Sequence, residues 1–198
     1  MQTLSNQDQV ITEVAGYFTP IDGFQHAIAA TRDGKVHEVY FNPQRGIAQD
    51  VLRTFSNVTS IAGYFTPVDG FQHVIVATAD SNVHEVYFNP QKGIFQDILA
   101  HFDGIIDIAG FFTPDDDFQH VLVATQDGNL HEVYFNPQKG IFQDVLTHFN
   151  GIGRIGAYFT PTDGNRHVIV ATNDGALHEV YFNPQKGIFQ DVLTTFTA

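Results

Sequence analysis

Residues His131–Leu146 read HEVYFNPQKGIFQDVL, and the same letters return at His178–Leu193, forty-seven residues later. The stretch recurs at His84 with Ile98 for a valine, and at His37 with Arg45 for the lysine and Ala48 for a phenylalanine. Working outward from it, the chain divides without a gap into four units, 11–57, 58–104, 105–151 and 152–198, behind a ten-residue N-terminal tail, 1–10. A period in the forties means either a propeller blade or a helical array, and the residues decide between them. In the second unit the runs Ile61–Thr66, His73–Thr78, Val83–Asn89 and Ile94–Phe102 are rich in β-branched and aromatic side chains. They are bounded by Pro67-Val68-Asp69-Gly70, Ala79–Asn82 and Pro90-Gln91-Lys92-Gly93. Such runs are strands and such boundaries are turns. Only Gln96–Phe102 is short enough to be read as either one helical turn or a strand.

Four antiparallel strands, a to d, joined by short turns make a propeller blade. The expected fold is therefore all-β, a single four-bladed β-propeller domain over 11–198; the alternative is half of a larger propeller formed by two chains. Strand a carries Ala15-Gly16, Ala62-Gly63, Ala109-Gly110 and, reversed, Gly156-Ala157. Smallness is kept while the letters change, as expected where inner strands crowd an axis. Strand b, such as Val121–Ala124, is apolar on both sides and is expected to be buried on both.

Composition narrows the function classes. The chain has 198 residues, formal net charge −13 and no cysteine, so a disulfide framework and a thiolate metal site are excluded. Sixteen of the 22 acids fall in four repeated columns, Asp22/69/116/163, Asp33/80/127/174, Glu38/85/132/179 and Asp50/97/144/191. That charge opposes nucleic-acid phosphates and anionic lipid, so neither nucleic acid nor membrane insertion is expected. Met1–Val10 has no basic n-region or apolar h-region. Cytoplasmic placement is the expectation, with a signal-free export route left open.

Blade-sized repeats with an Asp-Gly turn leading into a His-Glu strand, as in Asp127-Gly128-Asn129-Leu130-His131-Glu132, resemble the lectin-type β-propellers. They resemble notably the tectonin and tachylectin kind and the bacterial fucose-binding propellers, while a count of four blades is similar to hemopexin-like propellers. The resemblance covers all four repeats and implies carbohydrate binding. The sequence departs from these families in having no tryptophan and no cysteine pair.

Alternation along strand c puts a carboxylate, a phenol and an amide on one side: Glu38, Tyr40 and Asn42, then Glu85, Tyr87 and Asn89, then Glu132, Tyr134 and Asn136, then Glu179, Tyr181 and Asn183. Carboxylates accept sugar hydroxyls, a tyrosine ring stacks on a pyranose, and an amide both donates and accepts. These twelve are the candidate ligand-binding residues. The competing structural reading makes His73, Thr78, Asp80, His84 and Glu85 an internal hydrogen-bond network of the blade. A second candidate edge lies in the a–b and c–d turns, where Asp22/69/116/163, exposed Phe24, Phe71 and Phe118, and Arg45, Lys92, Lys139 and Lys186 share one end of the blades.

Two fourfold histidine columns, His26/73/120/167 and His37/84/131/178, fall on strands b and c, away from a propeller axis. No metal and no cofactor is expected from them. No nucleophile–base pair, phosphate loop or calcium loop is present, and Asp115-Asp116-Asp117 reads as a solvated run. The chain is therefore expected to be no enzyme but a multivalent carbohydrate-binding, lectin-like protein with one weak site per blade. Its expected partners are glycans or glycoproteins, with a homo-oligomer also open. The alternative is a structural or protein-interaction scaffold, designed or recently amplified, with no small-molecule ligand.

Overall fold

A computed structural model describes residues 9–20, 22–44, 46–89, 91–114, 116–136, 139–183 and 186–196. The tail over 1–8, Arg45 of the basic column and Asp115 of the acidic run lie outside the described residues.

Sixteen strands follow one another: β1 Ile11–Phe18, β2 Gln25–Thr31, β3 Lys35–Asn42, β4 Gly46–Thr54, β5 Val58–Thr66, β6 Phe71–Thr78, β7 Asn82–Asn89, β8 Gly93–His101, β9 Ile105–Thr113, β10 Phe118–Thr125, β11 Asn129–Asn136, β12 Gly140–His148, β13 Ile152–Thr160, β14 Asn165–Thr172, β15 Ala176–Asn183 and β16 Gly187–Thr195. They form four separate four-stranded sheets, each an antiparallel meander in chain order. Each sheet is one blade of an all-β, propeller-type fold, as the repeat predicts. The ambiguous run at Gln96 is the second half of strand β8.

The chain divides into two compact units, Met1–His101 and Phe102–Ala198, each holding two blades. Inside each unit, one face of the leading blade packs on the opposite face of the next. In the first unit the core is Ile28, Ala30, Val36, Leu52 and Phe55 against Ile61, Val74, Val76 and Val86. In the second unit Phe111, Leu122, Ala124, Leu130 and Phe149 meet Ile152, Val168, Val170 and Val180. Strand b is buried on both faces in the second and third blades, where every residue from His73 to Thr78 and from His120 to Thr125 is buried, while in the first blade Ala27 is exposed. Each such Val, Leu or Ile contributes about 1.5–3 kcal/mol by leaving water.

Among the small residues of strand a, Gly63 has a local cause, whereas a Cβ at Gly156 would meet nothing within 4 Å. A Cβ added at Gly63 would lie 2.7 Å from the Tyr17 ring of the preceding blade. In the second unit the facing pair is Ala157 and Phe111, packed in the same core.

The b–c turn also explains its sequence. Gly34, Gly128 and Gly175 sit at φ +83°, +86° and +86°, and Gly34 N–H donates to Thr31 O at 2.8 Å. A side chain at Gly34 would meet the Phe55 carbonyl oxygen at 1.9 Å, and that oxygen belongs to the residue whose N–H closes onto Gly34 O. The second blade places Ser81 in this left-handed region, at φ 71°.

Phe24, Phe71 and Phe118 differ from their expected exposure. They are half-buried, because each ring lies parallel to a strand-c tyrosine, Tyr40, Tyr87 and Tyr134, at centroid distances of 6.1, 6.1 and 6.0 Å.

Candidate functional site

Antiparallel register sets residues of neighbouring strands side by side on one face. In the second blade Tyr64, His73, Tyr87 and Phe95 stand opposite one another across the four strands. Their rings form a ladder with successive centroid distances of 5.3, 5.9 and 5.3 Å. The first blade keeps Tyr17, His26 and Tyr40, at 5.0 and 5.7 Å. There Tyr40 faces Ala48 across the ladder, so the fourth ring is missing.

The histidine in each ladder is held between two carboxylates. His73 Nδ1 lies 2.8 Å from Glu85 Oε1 and Nε2 lies 3.2 Å from Asp69 Oδ2. The first blade repeats this with His26, Glu38 at 2.8 Å and Asp22 at 3.1 Å, and the fourth with His167, Glu179 and Asp163, both at 3.0 Å. Ionised carboxylates only accept, so at His73 both ring nitrogens donate and the cationic imidazole is favoured. Burial opposes that charge, but the hydrogen bonds to Asp69 and Glu85 outweigh it and raise His73 to about 9. His26 and His120 are raised by the same balance. Reciprocally, Asp69 and Asp116 are lowered in spite of burial, Asp116 to about 2, by hydrogen bonds from the histidine and from Thr66 or Thr113.

Strand a adds a further donor to the same carboxylate. Tyr17 Oη donates to Glu38 Oε1 at 2.8 Å, and burial together with Glu38 pushes this phenol above its usual range. In the third blade Phe111 has no hydroxyl to give. Arg166 of the next blade takes over, its guanidinium 3.2 Å from Glu132 Oε1 and 4.1 Å above the Phe182 ring.

The strand-c histidines do different work at the other end of the blade. Thr78 Oγ1 lies 3.2 Å from His84 Nε2 and donates to Asp80 at 2.5 Å. Phe55 tilts onto the His84 ring at 5.0 Å, as Phe102 does on His131 and Phe149 on His178. Burial pushes His84 and His131 down, with Asp80 and Asp127 only partly offsetting it. His26, His73 and His120 are thus shifted up, and His84 and His131 down.

Between the two blades of the first unit lies a cavity of about 530 Å³. One wall is the ladder face of the first blade: Asp22, Phe24, His26, Glu38, Tyr40 and Asn42, with Asp50. The other wall is the reverse face of the second blade: Phe65, Gln72, Phe88 and Ile94. The volume lies within the range typical of small-molecule pockets. Among the described residues, both hydrogen bonds to Glu38 land on Oε1. Gln72 Nε2 reaches Asp22 Oδ2 at 3.4 Å across the gap.

The twelve residues singled out on strand c therefore have definite places. Glu38, Tyr40 and Asn42 come together in the cavity wall. Glu85 and Glu132 are buried and bonded to histidine, and Glu179 accepts from His167. Tyr87, Tyr134 and Tyr181 stack within their ladders. Asn42, Asn89, Asn136 and Asn183 each accept from a backbone N–H of the c–d turn. The network residues weighed against them split in two: His73 and Glu85 join at one end of the blade, Thr78, Asp80 and His84 at the other. The far wall, Gln72 and Phe88, escaped the sequence reading, since nothing local signals which residues the next blade presents. The twelve-residue offset from His26 to Glu38, repeated in every unit, was a readable sign of the buried pair.

No family model matches the chain, and no curated protein matches it by sequence. Its fold is shared with solved structures. The SapL1 lectin in complex with alpha methyl fucoside is similar at 17% identity and TM-score 0.71, over 93% of this chain and 63% of that one. An Aleuria aurantia lectin mutant in complex with Fucalpha1-6GlcNAc is similar at 12% identity and TM-score 0.70, over 93% and 62%. BBS1N in complex with ARL6DN is also similar, at 18% identity and TM-score 0.61, over 99% and 59%. The chain spans less than two thirds of the length of each. It has the β-propeller fold of these lectins.

Proposed function

We propose that this protein binds carbohydrate without transforming it, and that the cavity between the first two blades is a sugar site. The observation that carries the reading is that cavity: acceptors Glu38 and Asp22, the amide of Gln72, and the apolar faces of Phe88 and Phe24 converge on a space of ligand size. Alternating polar and ring surfaces suit a pyranose, which presents hydroxyls at its rim and C–H groups on its faces. Fucose-class sugars are the first to test, because the lectins of the same fold named above were solved with fucosides. The strand-c residues recur in every blade, but in the second unit Arg166 occupies the matching place, so further sites are expected only where no such side chain fills it. Individually weak sites, near millimolar and so about −4 kcal/mol each, would gain from multivalent presentation on a glycoprotein.

Calorimetric titration with L-fucose and a glycan-array screen test the reading. Binding is expected to fall at least ~10-fold in Phe88→Ala, a ring that is 41% exposed and dispensable to the core. Absence of any glycan binding at millimolar ligand would overturn it.

A second reading, a protein-interaction scaffold, has its own observation. Strand d of every blade exposes one apolar position in register, Val51, Ile98, Val145 and Val192, at 49%, 59%, 57% and 60%. Pull-down of a defined protein partner that is lost in Val145→Lys would favour it.

A further inference from the structure

The two units repeat the same inter-blade arrangement with one exchange of charge, and that exchange indicates what the first-unit cavity accepts. Positions ninety-four residues apart correspond: Asp22 to Asp116, His26 to His120, Glu38 to Glu132, Phe88 to Phe182 and Gln72 to Arg166. In the second unit Arg166 brings a guanidinium to this set. It lies 3.2 Å from Glu132, 3.2 Å from His120 Nδ1, 3.9 Å from Asp116 and 4.1 Å above Phe182, with its side chain only 17% exposed. The protein thus contains one copy of the arrangement with a cation seated in it. In the first unit the acidic groups and the ring are kept, the cation is replaced by the neutral Gln72, and the cavity of about 530 Å³ lies against these residues.

Charge and chemistry then follow from the lining. Asp22, Glu38 and Asp50 bring three carboxylates, and His26 is the one basic group among the described residues that line the cavity. His26 is already bonded through both nitrogens, to Glu38 and Asp22, so it offsets charge without donating to a ligand. Glu38 Oε2 has no hydrogen bond among the described residues, while the Phe88 ring supplies the face on which a cation is stabilised. Arg53 stands at the edge of the groove, its Nη2 donating to the Ile94 carbonyl at 2.8 Å; the lining itself carries three carboxylates against one imidazole, and that local excess of negative charge favours a cation.

We infer that the first-unit cavity selects a cationic group, delivered as the free ammonium of an unacetylated amino sugar and seated between Glu38, Asp22 and Phe88. The inference rests on the carbohydrate reading for the sugar and on Arg166 for the charge.

The test is competitive calorimetry on the full chain at pH 6.5, with D-glucosamine, N-acetyl-D-glucosamine, L-fucose and methylguanidinium as probes. D-glucosamine is expected to bind at least ~10-fold more tightly than its acetylated form, with the advantage shrinking several-fold in about 0.5 M salt. Gln72→Arg should remove D-glucosamine binding, because the second unit accommodates arginine at this position. Its thermal unfolding should match the parent, which separates loss of binding from loss of fold. If L-fucose or N-acetyl-D-glucosamine binds as tightly as D-glucosamine, the charge inference is overturned and the carbohydrate reading stands. If methylguanidinium binds in a Gln72-sensitive way and no sugar does, the cation site stands and the carbohydrate reading falls. Failure of both D-glucosamine and methylguanidinium overturns the inference.

Discussion

Raising the pH should unlock the second blade at one residue, His73. Its side chain is 3% exposed and is held between Asp69 and Glu85. In the unfolded chain the imidazole titrates near 6.5, and in the fold at about 9. A raised folded value means that the stabilisation is complete below 6.5 and is lost as the pH climbs through 9. At about 1.4 kcal/mol per decade the interval corresponds to about 3 kcal/mol. That is a large share of the 5–15 kcal/mol typical of a domain. The assay is urea unfolding at half-unit steps from pH 6 to 9.5, followed by circular dichroism, on the parent and on His73→Gln. The parent should lose about 3 kcal/mol across this window. The variant should start lower at pH 6 and show a flatter profile, set by the remaining ladder histidines. A parent curve that stays level from 6.5 to 9.5 would refute the claim that His73 is locked as an imidazolium.

Other substitutions probe other parts of the argument. Gly63→Ala places a methyl group against the Tyr17 ring and should destabilise the first unit by about 1–3 kcal/mol in thermal unfolding. Ser81→Gly removes a side chain from a left-handed residue and should stabilise by about 1 kcal/mol, read as a higher urea midpoint. Arg166→Met takes the guanidinium from Glu132, whose side chain is 8% exposed; a loss of about 2–3 kcal/mol is expected. Adding Glu132→Gln to that variant should recover part of the loss. Thr78→Val deletes the donor to Asp80 and should cost about 1–2 kcal/mol by the same assay.

The fold was legible because its signals are local and repeated. Period-two alternation, Asp-Gly turns and a fixed length specify strands and their order, and the register then follows from turn length. The smallness at Gly63 was visible too, although its cause was not: the Tyr17 ring comes from a different repeat. The site was legible on one side only. Glu38, Tyr40 and Asn42 share a face by strand alternation, so they could be grouped. Gln72 and Phe88 enter from the reverse face of the next blade, and sequence says nothing about which reverse-face residues meet which front-face ones. Glu38 shows a further limit. Its approach to a ligand depends on how many of its lone pairs His26 and Tyr17 already occupy, which is a matter of distance and not of residue type.

The ring ladder gives every blade two unlike sides, one bearing Tyr, His and carboxylate, the other Val, Phe and Gln, or Arg166 in the fourth blade. Within each unit front meets back, so stacking has a direction, like coins that fit only heads to tails. An array with such polarity can gain or lose one whole forty-seven-residue period in its gene and still present a matching surface at the seam. It is not expected to tolerate an inverted blade. Near-identical repeats such as these invite unequal recombination, and this grammar of faces makes its products foldable.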